Sequence, residues 1–589
     1  MTKQRTLLGK LLVWRLRNIS ERNFILMCAI IIGIIAAFAA LILKWSVHQI
    51  HHFLTQPFNV EFENYLYLAY PFLGIFLAVA FAKFVIRKKV GHGITRILYS
   101  ISKGKSALHP KSTYAYMVTS SLTVGFGGSV GLEAPIVATG SALGSNLARL
   151  LHLDYKAKTL FIACGAAGAI AAIFNAPVAG VIFALEVLML DLTMSSIIPL
   201  LISSVTAAII SRLFIGDEIL LHIELTDSFV PSQFPYFILL GLLAGCISVY
   251  FTKTVHFIEN KFASYKGHLR KTLIGGVMIG ILVFLFPPLF GDGYPAIKAI
   301  LNGHPEELLN NSLFFDFQHT LWGLVGFVIL TLIFKAIATS ITIGAGGVGG
   351  VFAPALFMGG ITGFVFSRVL NNFNWTQLSE KNFTLVGMAG IIGGVQHAPL
   401  TGIFLVSELS NGYDLFIPLM ITASSAYLVA KFIYPNSVYT GRLEHVLTHN
   451  KDQSIITLMD FKKLIEKDFA TVNIKDHLRE LVGAVSKSSR NIYPVINDDN
   501  RFEGVIILDD IRAFMFNAEK YDQISIAELM HPHKGIIDME DDKEDVMQLF
   551  RDTGAWNLPV IEKGKYVGFI SRSKLFSEYR RLIAKTSEH

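Results

Sequence analysis

The apolar residues of this chain come in long uncharged runs. Phe24–Leu43, Leu66–Ala82, Thr159–Leu185, Pro235–Thr252 and Leu273–Phe290 carry no Asp, Glu, Lys or Arg. A helix that crosses a bilayer needs about 17–25 such residues. Several runs reach that length; others are shorter or broken by glycine and proline, which predicts tilted or incomplete crossings. The first run is too long, and lacks the small-residue cleavage site, for a cleaved signal peptide. Near Leu443 the pattern changes: charge becomes frequent and no long apolar run follows. The expected organisation is a membrane part over residues 1–443 and a water-facing part over 444–589.

Composition agrees with the pattern. Only 16% of the 589 residues are charged and 52% are hydrophobic, against about 25% charged in soluble domains. The net charge of +7 invites a nucleic-acid reading, but its placement argues otherwise. Lys3, Arg5, Lys10, Arg15, Arg17 and Arg22 precede the first run with only Glu21 opposing them. That is the bias which keeps a terminus on the cytoplasmic side, so the N-terminus and the tail are expected there, with the bilayer and no nucleic acid as partner. Brevity and plain termini suggest a bacterial inner membrane. Cys28, Cys164 and Cys246 sit in apolar runs at no metal-ligand spacing, and are expected to be small buried hydrophobes.

Both parts repeat internally. Asn175-Ala-Pro-Val-Ala-Gly-Val-Ile-Phe-Ala-Leu-Glu186 resembles His397-Ala-Pro-Leu-Thr-Gly-Ile-Phe-Leu-Val-Ser-Glu408, and upstream, in the same order, Gly131-Leu-Glu-Ala-Pro135 matches Gly350-Val-Phe-Ala-Pro354. Transporters made of two such halves often pair them in inverted topology, with the ligand site at the interface and formed by broken helices. In the tail, Tyr493-Pro-Val-Ile and Gly504-Val-Ile-Ile find counterparts in Leu558-Pro-Val-Ile and Gly568-Phe-Ile-Ser571. Helices are expected before them at Ile474–Val485 and Lys543–Arg551. This α/β pattern resembles a pair of CBS domains, over 444–518 and 519–589.

The chemistry concentrates in Gly125-Phe-Gly-Gly-Ser-Val-Gly-Leu-Glu-Ala-Pro135. Irregular backbone is tolerated inside a membrane only when buried in protein or lining an aqueous cavity. Pro135 suits the first turn of a helix, which leaves the amides of Leu132, Glu133 and Ala134 free at its N-terminus. Such an end attracts anions through its unpaired donors and its dipole. Gly350–Pro354 supplies a second, so two facing helix ends make an anion site without lysine or arginine. Glu133 lies inside one of them. An intramembrane carboxylate is a functional candidate by default: ionised, it occupies the donors an anion would use, and protonated it frees them. The plain alternative is a helix cap.

The constellation resembles the CLC chloride channel and transporter family over essentially the whole membrane part, and a CBS pair is a common appendage of that family. The resemblance implies an all-α polytopic membrane domain with inverted repeats, then a cytoplasmic α/β CBS pair, assembled as a homodimer. It makes Glu133 the gate, with Leu132 and Ala134 as departures from the usual Arg and Gly. It implies that the central anion is bound by the amides of Ile94, Val351 and Phe352 and the hydroxyl of Tyr439, although Tyr439 alone would pass for an interfacial aromatic. In the first anion loop, Gly91-His-Gly-Ile-Thr95, His92 stands where serine is usual. His92 would donate one hydrogen bond when neutral and two when charged, or turn aside to backbone; it leaves chloride, nitrate and fluoride open as the preferred small anion.

A second departure bears on mechanism. Proton-coupled members carry a glutamate on the inner proton route at the position of Val187, and valine relays no proton. Glu186, Glu408 and His397 read as structural. The function expected from the sequence is therefore gated passive chloride flow past Glu133, with chloride/proton antiport of the same fold as the alternative. In the tail, Asp510 and Ser571 each complete half of an adenine-nucleotide site, with Ile507 and Lys574 at the other halves; a module without ligand is the preferred reading. No cofactor or metal is expected. A CBS-regulated divalent cation transporter would need carboxylate clusters, and the carboxylates are scattered. An intramembrane enzyme is set aside because the chain is read as free of a Gly-x-Ser-x-Gly nucleophile element and of His-Glu-x-x-His metal spacing.

Overall fold

The computed structural model describes residues 15, 17–55, 64–87, 90–91, 93–102, 106–188, 194–216, 230–265, 267–373, 376–410, 412–442 and 459–587. The chain forms two compact units, residues 1–444 and 445–589. The junction expected near Leu443 lies outside the described residues.

The first unit is helical. Its first half contains α1 (Glu21–Thr55), α2 (Tyr70–Phe81), α3 (Gly93–Ser102), α4 (Ser112–Gly125), α5 (Glu133–Leu150), α6 (Tyr155–Phe174), α7 (Pro177–Glu186) and α8 (Met194–Ile215). The second contains α9 (Phe234–Ser264), α10 (His268–Leu285), α11 (Tyr294–Leu301), α12 (Leu321–Gly344), α13 (Phe352–Asn372), α14 (Glu380–Gln396), α15 (Pro399–Leu409) and α16 (Phe416–Ile433). Among the described residues, eight helical stretches are long and apolar enough to cross a membrane. α1, with 35 residues, is about 50 Å long and must tilt in a hydrocarbon core of about 30 Å. α7 and α15 are apolar but too short to cross. Cys28 and Cys164 are buried as expected, whereas Cys246 is exposed: it lies on the outer face of α9, where an apolar run faces lipid as readily as core.

The order α4–α5–α6–α7 returns as α12–α13–α14–α15, and equivalent residues treat each other reciprocally. Gly131 and Gly350 form an antiparallel bridge, each amide donating to the other's carbonyl at 2.8 and 2.7 Å. The amide of Ser129 donates to Thr342 Oγ1 (3.2 Å), and that of Val348 to Thr123 Oγ1 (3.0 Å). α6 and α14 end in the same way, at Asn175 (φ 55°) and His397 (φ 57°), both left-handed. Within each half, glycines bring two helices into backbone contact, Gly140 with Gly165 and Gly359 with Gly387, the small-residue packing that membrane helices favour. Reciprocity of this kind is a local two-fold relating the halves.

The two short helices complete the pattern. The carboxylate of Glu186, at the end of α7, accepts from the amides of Leu400 (3.2 Å) and Thr401 (2.8 Å) and from the Thr401 hydroxyl (2.8 Å) at the start of α15. Glu408, near the end of α15, accepts from the amides of Val178 (3.0 Å) and Ala179 (2.8 Å) at the start of α7. Each helix begins with proline at its first turn and no cap of its own, so its orphan N–H groups are satisfied by the twin's glutamate.

The second unit holds two three-stranded sheets of one design. β1 (Val472–Asn473), β2 (Ile492–Ile496) and β3 (Phe502–Ile507) lie in that order, as do β4 (Ile537–Asp538), β5 (Asn557–Glu562) and β6 (Lys565–Ser571), with a parallel then an antiparallel pairing in each. Pro494 and Pro559 sit in the middle strands, where a missing N–H normally breaks a ladder. They are tolerated because β1 pairs only with Val495 and Ile496, and β4 only with Val560 and Ile561. The first expected helix begins at Leu478 rather than Ile474: His477 and Glu480 form a reciprocal cap that starts it there. The second runs Lys543–Thr553, close to expectation.

Replacing Glu408 with Ala leaves the part-buried amides of Val178 and Ala179 without their charged acceptor, and should cost about 1–3 kcal/mol. By the two-fold, Glu186→Ala should cost a similar amount. Thermal unfolding in detergent micelles measures both, and a variant as stable as the parent would refute this account of the short helices.

Candidate functional site

The Gly131–Gly350 bridge stands just before two helices. α5 starts at Glu133 and α13 at Phe352, and neither preceding residue, Leu132 or Val351, caps its helix with a side chain. Two uncapped helix N-termini are thereby held together by the backbone of their own loops. Glycine is required at 131: a Cβ there would run into the Glu133 carboxylate and approach Ala353 Cβ to 2.8 Å. α3 closes on the same place, since a side chain on Gly93 would meet Ala138 Cβ at 2.6 Å and the Ala134 carbonyl at 2.9 Å. The start of α3, with Ile94 buried on it, thus rests on the first turns of α5.

Glu133 is 1% exposed. Its carboxylate does not fold back to cap α5 alone. Oε2 reaches across and accepts from the amide of Ala353 (3.4 Å), at the start of α13. Oε1 accepts from the hydroxyl of Tyr294 (2.6 Å). The sequence points to the amides of Val351 and Phe352; the donor the carboxylate engages is one residue further on. Phe352 is fully buried and anchors an aromatic group, its ring 5.6 Å from Phe174 and 6.3 Å from Phe183, with Phe174 edge-on to Tyr294 at 6.4 Å.

A carboxylate seated between two opposed helix N-termini beside a glycine bridge is the feature the sequence pointed to; comparison with known proteins gives the family. A family model for the voltage gated chloride channel matches residues 73–431, and one for the CBS domain matches 461–517 and 526–581. The chain belongs to the voltage gated chloride channel (CLC) family. It is 28% identical over 448 residues to the H(+)/Cl(−) exchange transporter ClcA of Vibrio cholerae serotype O1, covering 73% of this chain and 91% of that protein. Its fold is similar to that of a slow cyanobacterial Cl−/H+ antiporter (TM-score 0.62, 24% identity, 72% of this chain and 98% of the other). It also resembles a eukaryotic CLC transporter (TM-score 0.61, 18% identity, 94% and 98%).

In this CLC protein Tyr294 was not singled out from the sequence, although its setting was legible. In Gly291-Asp-Gly-Tyr-Pro295 both glycines have positive φ, the Asp292 carboxylate accepts from the Tyr294 amide (3.1 Å), and Pro295 stands in the first turn of α11. Turn, cap and proline together start a helix at Tyr294 and aim it at Glu133. Lys335 was missed as well. It is fully buried within the otherwise uncharged α12, donates to the Gly291 carbonyl (3.2 Å), and lies 4.9 Å from the Phe357 ring centroid in the field of Asp292. A lone intramembrane lysine is itself a signal of function.

The other expected residues divide. Tyr439 is buried, and its segment is tied to α14 by the bond from the Val438 amide to the Val395 carbonyl (3.1 Å). Val187 is buried at the end of α7, beside the Glu186 that holds α15. His92 lies outside the described residues. In the CBS unit, Asp510 accepts from the Ile507 amide (3.3 Å) and pairs with His531 (3.2 Å), while Ser571 donates to Glu466 (2.8 Å), which also pairs with Arg490 (2.9 Å). Gly127-Gly-Ser-Val-Gly131 fits the Gly-x-Ser-x-Gly spacing of a serine nucleophile, a match that the reading of the chain as free of nucleophile elements overlooks. Ser129 is wholly buried in a loop between two helices, and its Oγ has no partner among the described residues. Among the described residues, Ser129 has neither the strand-to-helix elbow nor the paired base that the motif requires. Among the described residues no three His, Cys, Asp or Glu side chains gather as a metal site.

Gly131→Ala should destabilise the protein by about 1–3 kcal/mol, the cost of overpacking a close-packed site. Adding Glu133→Ala to it should recover part of the loss, because the clash with the carboxylate is removed while the contact with Ala353 Cβ remains. Unfolding of the two single variants and the double variant in micelles checks this; strictly additive losses would place the clash elsewhere.

Proposed function

We propose that this protein exchanges chloride for protons across the membrane, with Glu133 as both anion gate and proton carrier. The observation that carries the reading is the Glu133 carboxylate resting on the amide of Ala353 at the opposite helix end. A negative group already occupies donors of the kind that bind anions at helix N-termini. Protonation removes its charge and weakens its hold on those donors, so a proton taken up and an anion admitted become alternatives at one place. Amides of Ile94, Val351, Phe352 and Ala353 and the Tyr439 hydroxyl form the path, with His92 tuning it.

The sequence favoured a passive channel because Val187 replaces the inner glutamate. The exchange activity named for the relative that matches most of this membrane part favours the alternative, and protons travel by water where no carboxylate stands. The rest of the reading is a homodimer with domains at 1–443, 444–518 and 519–589, and with N-terminus and tail in the cytoplasm. Asp510 and Ser571 are engaged in internal bonds, which supports a tail that works without nucleotide. Millimolar ATP should leave the unfolding temperature of the full chain unchanged, and a rise would overturn that part.

The deciding experiment uses purified protein in sealed liposomes with a chloride gradient and a pH electrode outside. Chloride movement should drive protons against their gradient, and Glu133→Gln should abolish proton movement while chloride still passes. Chloride flow that protons do not follow would return the protein to the channel reading. Tyr294→Phe removes a donor that favours the ionised, seated carboxylate. With Asp292 as the charged neighbour of Glu133, acid activation of anion flux should move toward higher pH by up to about one unit, for a bond worth about 1 kcal/mol. An unmoved profile would deny Tyr294 that role.

A further inference from the structure

Among the described residues, Gln396 is the one side chain both of whose polar atoms are buried without a hydrogen-bond partner. It is 4% exposed and ends α14. A buried amide with nothing to bind is destabilising, and buried waters, each making about three hydrogen bonds, are the usual remedy.

Its position connects the two halves of the mechanism. On one side, the carbonyl of the preceding residue, Val395, binds the segment that carries Tyr439. On the other, the chain turns at His397 and enters α15, whose Leu400 and Thr401 amides are held by Glu186, next to Val187. Leu400 is four residues on, so its Cα lies within about 15 Å. Gln396 also shares a helix face with Ile392 and Ala389, and both of those pack against Gly402 of α15. Between the end of α7 and Glu133, the rings of Phe183, Phe352 and Phe174 form an aromatic group that ends at Tyr294, whose hydroxyl bonds Glu133. Water persists among such apolar rings only where polar groups anchor it.

We propose that the Gln396 amide holds a buried water that serves as a station on the inner proton route, in place of the carboxylate that Val187 does not supply. The inference rests on the exchange reading above. The amide donates through Nε2 and accepts through Oε1, so one water can bond to both and to a further water. A proton arriving as hydronium from the cytoplasmic side is taken up by this water, which releases another of its protons toward Glu133. The carboxylate becomes a carboxylic acid, and the amide is unchanged. Gln396 is thus a positioning residue that never carries the proton.

The test compares parent, Gln396→Leu and Gln396→Glu in liposomes, recording chloride and proton fluxes together. Leucine keeps the volume and removes both polar atoms; Gln396→Met serves if the leucine variant fails to fold, judged by its chloride flux. The expected result is a fall of about tenfold or more in protons moved per chloride, with chloride flux nearly kept, and recovery of coupling in Gln396→Glu. A leucine or methionine variant that transports chloride with the parent's proton ratio would overturn the inference and leave the exchange reading standing. A parent that moves no protons would overturn both.

Discussion

The antiparallel contact between Gly131 and Gly350 is the constraint on which the site depends. Two helix N-termini repel one another through their dipoles, and neither brings a side-chain cap. They stay together because the loops before them exchange backbone hydrogen bonds, and because Thr123 and Thr342 each take an amide from the other loop. The two-fold makes every such bond count twice. What it leaves in the middle is a small region of positive potential formed by neutral groups, which a single carboxylate fills.

The same relation accounts for the short helices. A ten-residue helix that ends inside a membrane has no water to satisfy its first amides. Here each of the two is closed by a carboxylate from the other, so neither is viable alone. Even half-buried carboxylates are costly without partners, and these have two or three donors apiece. Glu133 differs in kind. It is fully buried, and its partners come from α13 and α11. A carboxylate held by its twin is architecture; one held by groups an anion would also use is suited to leave them.

The departures from the family pattern differ in kind between the gate and the inner route. Leu132 and Ala134 change side chains beside Glu133 but not the backbone donors, and anion binding at helix ends relies on backbone. Val187 removes a titratable group outright. Under the proposed exchange mechanism, in which the proton and the anion share only Glu133, such a change is tolerated provided water has an anchor elsewhere. Gln396, polar where its surroundings are apolar, stands between the Tyr439 segment and the helix that Glu186 holds.

Much of this was determined by the sequence alone. Uncharged runs of bilayer length, the paired Gly–Pro motifs and the matched Pro–Glu spacings dictated a two-fold membrane domain, and placed Glu133 at a helix start, because hydrophobic length, proline geometry and repetition are local properties of the chain. The strands and repeats of the tail were equally local. Tertiary structure decided which groups meet. That Glu133 turns to Ala353 and Tyr294, that Glu186 and Glu408 exchange helices, that Lys335 lies under Gly291 and that Cys246 faces outward all depend on contacts between residues far apart in the chain. Nothing in a run of apolar residues tells its lipid face from its core face, and nothing in a loop of glycines names the distant amide against which it will rest.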